Sequence, residues 1–167
     1  MRVLLLGLLA TFFMAHDSHL QSNKKGEQFN ISSELKLLSN GKKYMFSYRS
    51  NYLGYPTNWV KANETCAELN LHLATFHDET DLKAVWAETQ TFLPLFGWWV
   101  SAKKDVDFLW HDGTKLKLDS PLWREEKVEK GHDCVYVSSF GKGKLNSNPC
   151  ETNFFFICEQ PDTVCRE

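Results

Sequence analysis

Three cysteines set beside strand-like segments, with a fourth far upstream, constrain this chain more than any other feature. Residues 131–159 read Gly-His-Asp-Cys-Val-Tyr-Val, then Leu-Asn-Ser-Asn-Pro-Cys, then Phe-Phe-Phe-Ile-Cys-Glu. Cys134, Cys150 and Cys158 thus each adjoin a segment of strand character, and Cys66 stands far upstream. Val135 and Val137 flank Tyr136 with the period of two that a pleated strand requires. The run 154–157 is aromatic and β-branched, as a strand buried on both faces should be. This layout predicts a small domain whose strands are tied together by disulfides.

Disulfides need an oxidising compartment, and the amino-terminal residues point to one. Arg2, an apolar run over residues 3–14 and then Ala15 follow the order of a secretory signal peptide, with cleavage expected after Ala15 or Ser18. That run is shorter than the roughly 20 apolar residues a spanning helix needs, and no second one follows, so no membrane span is expected. The reading is a secreted, extracellular protein with a signal peptide at 1–18, a polar arm at 19–42, one domain at 43–160 and a tail at 161–167. About 150 residues after cleavage suffice for one domain with a sizeable core. Lys and Arg number 19 against 21 acids, and loss of Arg2 leaves 18, so the remainder is weakly acidic. Nucleic acid is therefore not the expected partner. Five cysteines make two bridges and one left over. Cys165 is the natural odd one: it can link to a second chain as a dimer, or stay free or capped in a frayed tail. Asn30 and Asn63 open two glycosylation sequons, Asn30-Ile31-Ser32 and Asn63-Glu64-Thr65.

Along the chain, residues 43–48 resume apolar and aromatic character and predict a first strand, and residues 51–56 carry the Gly54 and Pro56 of a turn. Thr57 is the expected cap of a helix over residues 58–69, with Trp59, Ala62, Cys66 and Leu69 on one face. A strand is expected over 71–76. A second helix follows, opened by Asp78 or Glu79, with Leu82, Val85 and Trp86 facing inward and an end near Gln90. Residues 98–102 and 108–110 predict two further strands, the latter stopped by Asp112-Gly113. Periodicity vanishes over 115–131, and a loop of that length in a compact domain is often functional.

The order of these signals resembles one family, the C-type lectin-like domains in their short form, in the style of an invertebrate secreted single-domain lectin. The resemblance rests on the helix carrying Trp59 and Cys66, on Leu73-Ala74-Thr75, on Trp99-Val100-Ser101-Ala102 where the family has Trp-Ile-Gly-Leu, and on Trp110-His111-Asp112-Gly113. The triplet Cys134, Cys150, Cys158 with Phe156-Ile157-Cys158-Glu159 completes it. It implies an α+β fold of two helices on small antiparallel sheets with a long irregular loop, and the bridges Cys66 to Cys158 and Cys134 to Cys150. The residues alone leave three connectivities open.

Sugar-binding members hold calcium with a Glu-Pro-Asn or Gln-Pro-Asp triplet in the long loop, an acid before Asp-Cys and a Trp-Asn-Asp triplet. Calcium takes six to eight oxygens and favours carboxylates. Here Asn146 matches, but Leu145 and Ser147 replace the Trp and Asp of that triplet, and His132 stands where the acid should be. Asp133 matches a residue of an auxiliary calcium site. Pro121 is followed by Leu122 and Trp123, so the loop triplet is missing; Glu125, Glu126 and Glu129 can regroup around an ion or form a solvated face. The expectation is a degenerate calcium site and no cofactor.

Six histidines raise a metal or catalytic reading. His72 and His77, five apart around one strand, are expected on opposite faces, and no serine sits in a nucleophile elbow. No enzymatic activity is expected. The leading reading is a recognition module for a glycan or glycoprotein, with Trp123 stacking on a sugar face and His132, Asn146, Ser147 and Asn148 hydrogen bonding beside it. Trp123 can instead fold back to plug its own loop. The rival reading is a protein-binding module that kept the scaffold and no longer binds sugar.

Overall fold

The aromatic run before Cys158 becomes the central strand of the sheet. In the computed structural model, which describes residues 30–50, 53–91, 97–124 and 128–162, the elements in order are α1 (Ile31–Glu34), β1 (Lys36–Leu37), β2 (Lys43–Phe46), α2 (Trp59–Glu68), β3 (His72–Leu73) and α3 (Glu79–Thr89). β4 (Gly97–Lys104), β5 (Phe108–Leu109), β6 (Cys134–Ser138), β7 (Leu145–Asn148) and β8 (Phe155–Glu159) follow. The strand order is β1-β2-β8-β4-β6-β7, with β3 also on β8 and β5 also on β4. β2 takes one edge of β8 (Met45 opposite Cys158), and the other edge is shared by β4 and β3. Covered on both faces, β8 is apolar from Phe155 to Ile157, and its last residue, Glu159, is buried with its carboxylate paired to Lys42 and accepting the Thr75 N–H.

Three expectations need correction. It is mixed rather than antiparallel, because β4 runs parallel to β8 through Trp98 opposite Phe155 and Trp99 opposite Phe156. The polar arm expected up to residue 42 is in part ordered: α1 caps itself on Asn30, and β1 pairs antiparallel with β2. Lys36 bonds Glu88 of α3 at 2.5 Å, Arg49 reaches the same carboxylate, and Ile31, Leu35 and Leu38 pack on the core, so charge, backbone pairing and apolar contact together pin this arm. The strand expected over 71–76 shrinks to His72–Leu73; Ala74 bonds Ile157 and Ser101 through its backbone, and residues 74–76 stay buried without forming a ladder.

Both long helices form on the predicted faces. Asn58 caps α2 in place of Thr57, its side chain accepting from the Lys61 N–H. Thr57 is held extended by a two-way backbone bridge to Phe154, which moves the cap on by one residue. Asp78 caps α3, accepting from Thr80 and Asp81 N–H, and the bond from Asp81 leads in holding its carboxyl below the usual range.

The alternation of β4 divides the interior into two cores. Trp98, Val100 and Ala102 join Phe46, Phe76, Val85 and Trp110 on one face; Trp99 joins Met45, Trp59, Leu73 and Phe156 on the other. Cys66–Cys158 ties α2 to β8 across the second core, and Cys134–Cys150 joins the start of β6 to the turn after β7, the pairing that the resemblance implied. Loop residues Leu116, Leu122 and Trp123 complete the first core. The long loop is thus packed inward at these three positions, while Leu118 stands exposed. The expected signal peptide, Glu125, Glu126 and Cys165 lie outside the described residues, among which no helix is long and apolar enough to cross a membrane.

Candidate functional site

β6 and β7 pair so that Cys134 faces Asn148, Val135 faces Ser147 and Tyr136 faces Asn146. This register brings His132, Asn146 and Asn148 to the bridged end of the hairpin. The same alternation that turns Asn146 and Asn148 outward turns Leu145 and Ser147 into the core. Ser147 is 5% exposed, so its hydroxyl does not belong to the surface site expected for it. Asn146 is half-buried and partly committed: its Oδ1 accepts from the Ser147 N–H at 2.8 Å. Burial raises the pKa of the Tyr136 hydroxyl, with hydrogen bonds to Ser138 and Asn146 and the charge of Arg124 offsetting part of that rise. His132 keeps a quarter of its side chain exposed, with Nε2 3.5 Å from the Glu129 carboxylate.

Trp123 takes the second of the two roles open to it. It is 6% exposed, donates its indole N–H to the Lys117 carbonyl at 2.8 Å, and packs edge-on to Phe108 at 5.2 Å between centroids. A backbone bridge to Leu145 holds it under the loop. No face of it is free to stack on a sugar. The loop's polarity suggested exposure, but the indole joins Leu116 and Leu122 in closing that side of the first core.

The calcium donor set can be tested on these positions. One expected carboxylate is a buried serine, the acid before Asp133 is a histidine, and the Asn146 oxygen already accepts a backbone N–H. Among the described residues no three His, Cys, Asp or Glu side chains are grouped to hold an ion. These residues do not fit calcium held in the family's usual manner.

The histidines depart from expectation. His72 and His77 both turn toward the 110–113 turn: His72 stacks on His111 at 4.7 Å, and His77 Nε2 lies 3.0 Å from Asp112. The expectation of opposite faces assumed a regular strand through residue 77, and the ladder ends at Leu73. Burial, then the charge of His72, lowers the His111 pKa, and Asp112 opposes them.

Sequence reasoning also passed over the surface around the β4–β5 hairpin. One cleft there, of about 400 Å³, is walled by Trp59, Asn63, Lys103, Trp110 and His111. A smaller one of about 160 Å³ lies between the hairpin and the long loop. The Lys103-Lys104 pair ending a strand was the available signal, since alternation must send the two to different sides. Asn63 thus sits half-buried in a cleft wall, while Asn30 is exposed.

Taken together, a disulfide-braced sheet with helices on its flanks, presenting an irregular loop and polar hairpin end, defines a binding domain of the lectin-like class. Residues 55–160 match the family model described as Lectin C-type domain, and the chain belongs to that family. It is 29% identical over 105 residues to accessory gland protein Acp29AB of Drosophila simulans, covering 60% of this chain and 42% of that one. The chain spans about two fifths of the length of the curated relatives it matches. Among solved structures it resembles TC14, a C-type lectin from the tunicate Polyandrocarpa misakiensis, at 28% identity and a TM-score of 0.58, covering 71% of this chain and 96% of that one. It shares its fold with the Ca2+-independent C-type lectin SPL-2 from Saxidomus purpuratus at 19% identity and a TM-score of 0.64, covering 78% and 94% of the two chains.

Proposed function

We propose that this chain is a secreted, non-enzymatic recognition module that binds a glycan or glycoprotein at its loop-bearing side by direct contacts rather than through calcium. The observation that carries the reading is the state of the β7 ligand positions: Ser147 faces the core, and the Asn146 oxygen is engaged by its neighbour's N–H. His132 and Asn148 remain at the surface end as hydrogen-bonding groups. SPL-2, named as Ca2+-independent, supports the compatibility of this fold with recognition without the ion. A glycan array probed in calcium and in chelator tests it. Equal binding in both conditions is expected; binding only in calcium, abolished by Asn146→Ala, refutes it.

A protein ligand is the second reading. It is favoured by the burial of Trp123, which removes the expected stacking platform, and by Phe140 and Tyr55, which stand exposed as large apolar groups. Array silence in both conditions supports this alternative.

A further inference from the structure

The lysines around the β4–β5 hairpin occupy the junctions of three neighbouring clefts. The 160 Å³ groove is walled by Lys104, Lys115 and Lys117 over an apolar floor of Phe108, Leu116 and Val128, with exposed Val106 at its rim. Lys104 also borders the 400 Å³ cleft containing Lys103 and His111. On the other side, Lys115 and Lys117 border a cleft of about 350 Å³ that reaches Trp110 and Pro121. These shared walls make one track around the hairpin, with an ammonium group at each junction.

Among the described residues, most of those ammonium groups have no counter-ion. Lys115 lies 2.6 Å from Asp107, but among the described residues no carboxylate pairs with Lys103, Lys104 or Lys117. Lys103 Nζ lies over the Trp59 ring at 5.3 Å and Lys104 Nζ over the Phe108 ring at 5.9 Å, so an aromatic face holds each ammonium group in place without neutralising it. Counting Lys104, Lys115 and Lys117 against Asp107, the small groove carries three positive charges to one negative, a local +2 on a chain whose formal charge is −2. Such a local field concentrates anions.

We propose that this track binds a sulfated glycan, with one sugar residue lodged in the groove and its sulfate groups on Lys104 and Lys117. This deepens the reading above and rests on it. The groove is smaller than the roughly 300–1,000 Å³ usual for a whole small-molecule ligand, and suits one unit of a longer chain lying across it. Its apolar floor suits the C–H face of a sugar ring, and the lysine rim suits substituents at the ring's edge. Asp105, Asp107 and Asp119 stand between the lysines, so a broad anionic surface such as a membrane or a nucleic-acid duplex would meet acids as well as cations. A narrow chain can thread past them.

The test uses the full chain from a secretory host, with surface-plasmon resonance on immobilised heparin, de-sulfated heparin, phosphatidylserine vesicles and duplex DNA, beside a neutral-glycan array. Binding to heparin is expected, unaffected by chelator, lost with de-sulfation and weakened steeply between about 50 and 200 mM salt. The double variant Lys104→Gln/Lys117→Gln is expected to lose about tenfold or more in affinity. A control pair, Lys61→Gln/Lys83→Gln, changes two lysines that already pair with acids on their own helices and should change it little. Equal loss in both pairs, equal binding of de-sulfated heparin, or binding of vesicles or DNA as strong as that of heparin overturns the proposal. Neutral glycans binding while heparin does not would sink this inference and leave the proposed function standing. Silence toward every glycan would sink both.

Discussion

Replacing Trp123 by alanine separates a core plug from a sugar platform, since the two roles predict opposite outcomes. The side chain is 6% exposed, packs against Phe108 at 5.2 Å and bonds the Lys117 carbonyl at 2.8 Å. Removing a buried tryptophan costs about 3–5 kcal/mol in transfer and cavity terms. For a domain of this size that corresponds to a fall of about 10 to 20 °C in Tm. Trp123→Phe keeps an aromatic ring against Phe108 and loses the indole hydrogen bond together with some packing, at about 1–2 kcal/mol. The assay is chemical denaturation followed by near-ultraviolet circular dichroism, with ligand binding measured on the fraction still folded. The expected result is a large loss of stability for the alanine variant, a small one for the phenylalanine variant, and unchanged affinity in both folded populations. An alanine variant with the wild-type midpoint and no glycan binding would show that the indole is a ligand contact, and the packing argument would be wrong.

Other outcomes follow from the same coordinates. Loss of the Cys66–Cys158 bridge, which closes a separation of 92 residues, is expected to cost about 4–5 kcal/mol, and loss of Cys134–Cys150, separation 16, about 3; paired Cys→Ala variants compared by denaturant midpoint check the order. Gly143 adopts φ +78° with its α-carbon against the Trp86 ring, so Gly143→Ala adds a left-handed strain and an overlap together worth about 2–5 kcal/mol, read by the same midpoint. Because the folded-state pKa of His111 is lowered, the unfolded chain takes up this proton first as pH falls. The contribution is therefore present above the ordinary histidine pKa near 6.5 and lost as pH drops through it. Melting temperature is expected to fall between about pH 7.5 and 5.5, and to fall less in His111→Gln. Exposed Asn30 is expected to carry sugar at higher occupancy than Asn63, which lies in a helix and a cleft wall; glycopeptide mapping decides this.

Elements whose burial is decided locally were legible in the residues themselves. The aromatic strand before Cys158, the Val135–Val137 alternation, the Trp59–Cys66 helix face and the degenerate calcium triplet could all be read from residue type and spacing, because period and polarity report which side of an element meets the core. Features that depend on which surfaces meet were settled by long-range packing. Thr57 lost its cap to Asn58 because Phe154, nearly a hundred residues on, claimed its backbone. Ser147 and Trp123 turned inward because β7 pairs with β6 in one register and the loop had to close a core it does not touch in sequence. His72 and His77 met the same turn because β3 ends after Leu73. Alternation along a strand is a local property, but the face that becomes interior is chosen by partners far along the chain, and a ligand site consists of the groups those partners leave uncovered.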